Sequence, residues 1–288
     1  MNWKRPFSRK KSPVVAVLRL DGAIGASASR FRGSMLNMQS QAARIERAFK
    51  LKRLTALALV VNSPGGSPVQ SALIAGRIRA LAEEREVPVL AFAEDVAASG
   101  GYWLACAADE IFVNEASIIG SIGVVSSGFG FQDLIARHGI ERRVHTAGES
   151  KAILDPFLPE KPEDVARLKA VQVDIHEQFK TYVGARRGSR INASSEELFS
   201  GAFWTGARAV ELGLADGLGD IRSVLCEKYG DEVRMIPIDA KKSMVRSLLG
   251  RTSMRIGMGS SMGDALSAMP EKTITALEER AIWARFGL

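Results

Sequence analysis

One serine, Ser99, stands between two alanines and two glycines in DVAASGGYWLACAA, residues 95–108. Small and β-branched residues lead up to it and an apolar helical pattern follows, so it falls at a strand-to-helix turn. Two chemistries are open to a serine there: a helix N-cap or a nucleophile held out on a sharp turn. A nucleophile needs a base. Of the three histidines, His138 falls at a helix end, where the helix dipole makes it structural. His176 falls in a long helix and reads as a surface residue, and His145 lies in a strand of mixed charge. A lysine made neutral by burial is the other candidate. Lys151 in GESKAILDPF sits behind a glycine turn and ahead of apolar residues, although a lone lysine in such a place is more often simply solvated. Two glycine turns follow strands, SPGGSP (63–68) and SGG (99–101). Without a Cβ in the way, two such turns on neighbouring strands can aim two N–H groups at one point, which is an oxyanion hole; taken singly, each is an ordinary tight turn. Neither is a phosphate-binding loop.

The elements around these residues alternate. VVAVLRLDGAI (14–24) reads as a strand and SMLNMQSQAARIERAFK (34–50) as a helix capped by Ser34. LTALALVV (54–61) is a buried strand, and Ser67 with Pro68 opens a helix over VQSALIAGRIRALAEE (69–84). VPVLAFAEDVAA is a strand, SGGYWLACAA a helix, and 109–125 holds one or two strands. FQDLIARHG is a short helix and ERRVHTAG a strand. A long amphipathic helix runs from Pro162 to about Arg187, with Val165, Leu168, Val171, Ile175, Phe179 and Tyr182 at helical spacing. Short helices at SSEELFSG and TGARAVELG, a helix over 219–229 and a strand at VRMIPID follow. Such alternation predicts an α/β fold with a parallel, buried sheet.

With 288 residues, 46% apolar and 25% charged, the composition is that of a chain able to bury a large core. No apolar run approaches the roughly 18–20 residues that span a bilayer, and the basic start MNWKRPFSRKK lacks a following apolar stretch, so export by a signal peptide is not expected. Cys106 and Cys226 have neither disulfide-framework nor metal spacing; Cys106 reads as inert core, and neither a metal nor a cofactor is expected. The net charge of +7 gathers at the ends: residues 1–11 hold five basic groups and no acids. That reads as solvated tails, or as a peripheral contact with anionic lipid through Trp3, Phe7 and the basic arm. No nucleic-acid motif is present. Three regions are expected: a basic arm (1–12), a main domain (13–240), and an extension (241–288) rich in Met, Gly and Ser that closes on an amphipathic helix, TITALEERAIWARFGL.

In order along the chain, NSPGGSP, DVAASGGYWLACAAD, IIGSIGV, GESKAILDPF and FWTGARAVELGLADGLG resemble the signal peptide peptidase A family (SppA/SohB-like) of Ser/Lys serine peptidases, from about Val14 to Leu225. The resemblance implies the ClpP/crotonase-like spiral of repeated ββα units. It implies Ser99 as nucleophile, Lys151 as general base, Gly66 and Gly100 as oxyanion-hole donors, and Ser121 as the hydroxyl that orients the lysine. It further implies peptide substrates, such as cleaved signal peptides, and a homo-oligomeric ring in which serine and lysine come from neighbouring subunits. A lysine base working near neutral pH must fall by roughly 2–3 units from its ordinary value near 10.4, which burial under bound peptide supplies. Glu149 must then point away from the amine.

Other readings make different demands. A crotonase-like acyl-CoA enzyme would use the same oxyanion hole without the serine or the lysine. A Clp-type Ser-His-Asp triad would need a histidine where Val124 stands. An inactive peptide- or membrane-associated scaffold would have no use for Ser99 and Lys151. The expected setting is cytoplasmic, with a peripheral contact at the inner membrane as the variant.

Overall fold

The structure, a computed structural model, describes residues 12–26, 35–148, 150–239, 280–281 and 283–287. In chain order it runs β1 (Val14–Asp21), α1 (Met38–Phe49), β2 (Leu54–Ser63), α2 (Pro68–Arg85), β3 (Val89–Ala98), α3 (Gly100–Ala105), β4 (Glu110–Val113) and β5 (Ile118–Gly120). Then follow α4 (Gln132–Arg137), α5 (Pro162–Arg187), α6 (Ser195–Leu198), β6 (Phe203–Thr205), α7 (Gly206–Glu211), β7 (Gly217–Leu218), α8 (Ile221–Tyr229) and β8 (Arg234–Pro237). The eight strands form one sheet in the order β6-β5-β3-β2-β1-β8, with β4 pairing both β3 and β7. Every pairing is parallel except β5 with β6. This is the parallel-rich α/β architecture that the alternation of elements predicts.

Strands β1, β2 and β3 are almost wholly apolar because both of their faces are covered. On one face, Leu18, Leu20, Leu57, Leu59, Val89 and Ala97 pack under α1, α2 and α3. On the other, Ala56, Ala58, Leu90 and Phe92 meet Val224 and Leu225 of α8. Ser67 and Pro68 start α2 as expected, the Ser67 side chain accepting from the Gln70 N–H. The cap of α1 differs from expectation: Asn37, not Ser34, caps it, accepting from the Ser40 N–H in a reciprocal capping box, and Ser34 lies outside the described residues.

β3 is the pivot of the sheet. Its first half, Leu90–Ala93, pairs with β4, and its last three residues, Val96–Ala98, pair with β5. At the split the Ser117 hydroxyl donates to the Glu94 carbonyl, and the Asn62 side chain accepts from the Val96 N–H at 3.2 Å. Side chains thus satisfy backbone groups that the ladder leaves behind as it changes partner.

Two expectations fail beyond β5. Residues 141–146 form no strand: they are exposed and pair with no strand among the described residues. The apolar stripe of α5 is buried only at its C-terminal end, where Phe179 and Val183 enter the core; Val171 is 52% exposed. Helical spacing reports that a face is apolar, not how much of the body lies beneath it.

The basic arm at 1–11 and the Met-rich stretch at 241–270 lie outside the described residues.

Candidate active site

Ser99 occupies the turn between β3 and α3 with φ 51° and ψ −122°, and its side chain makes no capping hydrogen bond. That conformation is costly for a residue bearing a Cβ and persists only where the surroundings enforce it. The surroundings are specific. The Ser99 N–H donates to the Gly120 carbonyl at 2.8 Å, and the Ser99 carbonyl accepts from Trp103 N–H at 3.0 Å, which opens α3.

α3 is held tightly at its other end. Arg186 donates to the Cys106 and Ala108 carbonyls, both at 2.9 Å, and Arg79 to the Ala107 carbonyl at 3.3 Å. Cations at a helix C-terminus complement its dipole as well as its unpaired carbonyls. Trp103 stacks on Phe179 and Tyr182 of α5, with centroids 4.7 and 5.1 Å apart, and the Tyr102 hydroxyl donates to the Leu214 carbonyl at 2.8 Å. Cys106 is buried in this cluster, and burial pushes its thiol up to about 12. It is inert core, as its sequence context implies.

The glycine turn after β2 lies against Ser99. The Ser63 hydroxyl donates to the Gly22 carbonyl at 2.7 Å and accepts from Gly65 N–H at 3.2 Å, which sets the turn. Gly66 has φ 138°, and a Cβ there would fall 2.0 Å from the Ile24 carbonyl oxygen. A Cβ on Gly65 would lie 2.8 Å from the Gly100 nitrogen, and one on Gly100 would lie 3.4 Å from the Gly66 nitrogen and 2.5 Å from Ser71 Oγ. The two turns therefore meet backbone to backbone. Ile24 N–H binds the Gly65 carbonyl and Ser67 N–H binds the Ile24 carbonyl, but Gly66 N–H and Gly100 N–H have no hydrogen-bond acceptor among the described residues.

Ser121 follows β5 as Ser99 follows β3. Because Ala98 is in register with Gly120, the two serines leave neighbouring strands at the same level. Ser121 is 7% exposed, has φ 53°, and donates its N–H to the Ala202 carbonyl at 2.7 Å. The structure thus brings together four of the five expected site residues: Ser99, Gly66, Gly100 and Ser121.

Lys151 is not among them. It is exposed, and its side chain makes no hydrogen bond or ion pair among the described residues. It rides on an excursion from Val124 to Glu160 whose described hydrogen bonds are all internal. Its turn is nonetheless built. Phe131 N–H donates to the Pro156 carbonyl at 2.6 Å, and Arg142 binds Asp155 at 3.0 Å and lies over the Phe157 ring. The Phe157 N–H and the Arg142 guanidinium hold the Asp155 carboxyl below the usual carboxylate range. Around that turn the excursion leaves Val125, Phe129, Leu134 and Ile140 between 52% and 81% exposed. Glu149 lies outside the described residues.

Two residues near the site escape a sequence reading. Ser71, fully buried, backs Gly100 and donates to the Ser67 carbonyl at 2.9 Å. His176, read as a surface residue, is half-buried, and its Nε2 lies 3.0 Å from the Ile122 carbonyl oxygen, next to Ser121. Its long-range partner across α5 left no mark in the local pattern. A cavity of about 350 Å³ lined by Phe92, Asp95, Ser117 and Asp220, among others, includes neither Ser99 nor Gly66. No group of three or more potential metal ligands occurs among the described residues.

A serine on a strained strand-to-helix turn, beside two glycine N–H groups with no acceptor among the described residues, is the arrangement that acyl transfer with an oxyanion hole requires. The comparisons narrow the class. The chain belongs to peptidase family S49, whose family profile matches residues 82–231. A Synechocystis protein carrying the name protease slr0021 is 31% identical over 269 residues, 91% of this chain and 92% of its own. A Brucella abortus protein named Na(+)/H(+) antiporter NhaA is 48% identical over 277 residues, 95% of this chain. The chain spans only 37% of that relative's length, and no helix among the described residues is long and apolar enough to cross a membrane. Among solved structures, the 1510-N membrane-bound stomatin-specific protease, as a lysine-to-alanine variant in complex with a substrate peptide, shares the fold. Its TM-score is 0.50 at 14% identity, over 83% of this chain and 99% of that one. The expected ClpP-like architecture is thereby borne out.

Proposed function

We propose that this chain is a serine endopeptidase that cuts unfolded or apolar peptides, cleaved signal peptides among them, through an acyl-enzyme on Ser99. Lys151 of an adjoining copy is the general base. Membership of family S49 supports the peptidase reading. The observation that carries the residue assignment is the strained Ser99 turn beside the N–H groups of Gly66 and Gly100, which have no acceptor among the described residues.

The chemistry runs as follows. A neutral Lys151 amine takes the Ser99 hydroxyl proton as Oγ attacks the scissile carbonyl carbon. The oxyanion forms between Gly66 N–H and Gly100 N–H. The intermediate collapses, the C–N bond breaks, and the proton passes from the lysine to the leaving amine. A water then gives its proton to the same amine and attacks the acyl carbon; the ester C–O bond breaks, the lysine passes that proton to Ser99 Oγ, and the carboxylic acid product leaves. Ser121, one strand over, orients the amine by accepting from it without a charge that would keep it protonated.

The exposure of Lys151 on a self-contained excursion, with apolar side chains turned to solvent around it, supports delivery in trans within a homo-oligomeric ring. The peptidase domain is taken as 13–240 between the basic arm and the C-terminal extension. The setting proposed is cytoplasmic, with the basic arm touching the inner membrane surface.

Fluorophosphonate labelling tests the proposal. Adduct is expected on Ser99, and labelling is expected to be lost in Ser99→Ala and in Lys151→Ala. Mixing the two inactive variants under conditions of subunit exchange should restore activity, since some sites then receive an intact serine and an intact lysine. Labelling that survives Lys151→Ala at the normal rate would overturn the assignment of the base. Peptides trapped on Ser99→Ala and read by mass spectrometry would define the substrate.

A further inference from the structure

The segment at 280–287 lies against the sheet on the face opposite α3, with residues 280, 281, 283 and 284 helical. Phe286 is 8% exposed and forms one apolar cluster with Val96 and Ala98 of β3, against which Ile118 of β5 and Trp283 pack. Its ring meets Phe203 of β6 edge-on, with centroids 5.3 Å apart. The segment therefore spans three adjacent strands, β6, β5 and β3.

The ends of these strands hold the site. Val96 and Ala98 share a face that Ala97, in the helix-side core, does not, and Ser99 comes next. Ile118 lies three residues before Ser121, and Phe203 follows Ala202, whose carbonyl receives the Ser121 N–H. α8 covers the same face of β3 only further back, at Leu90 and Phe92. Ser99 and Ser121 both sit at positive φ, a conformation kept only where packing leaves no alternative.

We infer that Trp283 and Phe286 are positioning residues of the site. The two rings seat the C-terminal segment beneath the β6–β5–β3 strand ends and fix the placement of Ser99 relative to Ser121. The inference rests on the reading of Ser99 as nucleophile, so its test includes a measurement independent of chemistry.

That measurement is amide hydrogen exchange in the full chain at Ser99 N–H and Ser121 N–H, with the Leu59 and Val60 amides of β2 as internal reference. In Phe286→Ala, exchange at the two serine amides is expected to rise at least tenfold over the reference. With an apolar fluorogenic peptide, kcat is expected to fall about tenfold with KM within twofold. Phe286→Leu, which keeps an apolar side chain in the seat, should recover most of both. Trp283→Ala, at a half-buried ring, and a chain ending at residue 279 serve if Phe286→Ala folds poorly. Serine amides that exchange no faster than the reference, or faster exchange with an unchanged kcat, would overturn the inference. If the parent protein shows neither peptidase activity nor labelling at Ser99, the nucleophile reading falls. The exchange data then still decide whether the segment holds these strand ends.

Discussion

Ser99 and Gly120 are joined by a 2.8 Å hydrogen bond from the serine N–H to the glycine carbonyl, between two neighbouring strands that are each followed by a serine at positive φ. The bond makes the two turns one unit. It also separates two roles of each serine, since the backbone strain belongs to the residue's Cβ and the proposed chemistry to its hydroxyl.

That separation is measurable at Ser121. Both Ser121→Ala and Ser121→Gly lose the hydroxyl, and each should lower kcat by about 10–100-fold, the worth of roughly 1–3 kcal/mol of hydrogen bonding. Only the alanine keeps the strain at φ 53°. The glycine variant should therefore melt higher than the alanine variant by a few degrees while being no more active. Steady-state kinetics beside thermal denaturation check both halves.

Gly66→Ala should abolish activity through structure rather than chemistry. Its Cβ would fall 2.0 Å from the Ile24 carbonyl oxygen, at φ 138°. The backbone must move, at a cost of at least about 2 kcal/mol. The loss should appear in denaturant unfolding as a lower midpoint, and fluorophosphonate labelling of Ser99 should be lost with it.

Arg187 and Asp216 form an ion pair at the edge of the core, the buried guanidinium 2.7 Å from a carboxylate that is partly open to solvent. Burial alone would raise the Asp216 carboxyl, but hydrogen bonds from Arg187 and the Ile111 N–H, with the charge of Arg187, outweigh it and hold the group below the usual carboxylate range. A depressed carboxyl contributes stability that is full above its unfolded value, near 4, and is lost as pH falls through its folded value. Stability should thus decline below about pH 4. Arg187→Ala removes the strongest partner of a carboxylate that still keeps Arg190 and the Ile111 N–H; it should cost about 1–3 kcal/mol at neutral pH and flatten that acid limb. Urea unfolding from pH 2.5 to 7 resolves the two effects.

The thiols should differ in the native protein. Cys106 is buried with its thiol pushed up to about 12, so at pH 8 an aromatic disulfide reagent should leave it untouched until the chain unfolds. Cys226, partly exposed on α8, should react first. Peptide mapping after brief labelling distinguishes them.

Much of the candidate site's local geometry was legible in the chain because it is made of turns, and turns are local. SPGG and SGG announce backbone that no side chain obstructs, and Ser67-Pro68 announces the helix that follows. What local pattern does not carry is pairing. Nothing in the spacing shows that Ser71 backs Gly100 or that His176 reaches the Ile122 carbonyl. The stretch 141–146 has the residues of a strand but no strand neighbour among the described residues. Ser34 was as good a cap as Asn37 by type, and the choice fell to the reciprocal bond with Ser40, a matter of where the chain enters the turn. The apolar stripe of α5 was read correctly as a stripe. Its exposed N-terminal half shows that a stripe does not fix how much of the body lies beneath it.

The exchange of partners within β3 has an evolutionary consequence. Up to Ala93 the strand is tied to β4, and from Val96 it is tied to β5. Because side chains alternate between the two faces, losing or gaining one residue at Glu94–Asp95 would leave the upstream ladder untouched and turn everything downstream over. Ala97 would face α8's side, and the hydroxyl after it would be presented to the wrong half of the molecule. Descendants of this chain are free to drift in composition at that junction, but its length is a quantity that selection must count.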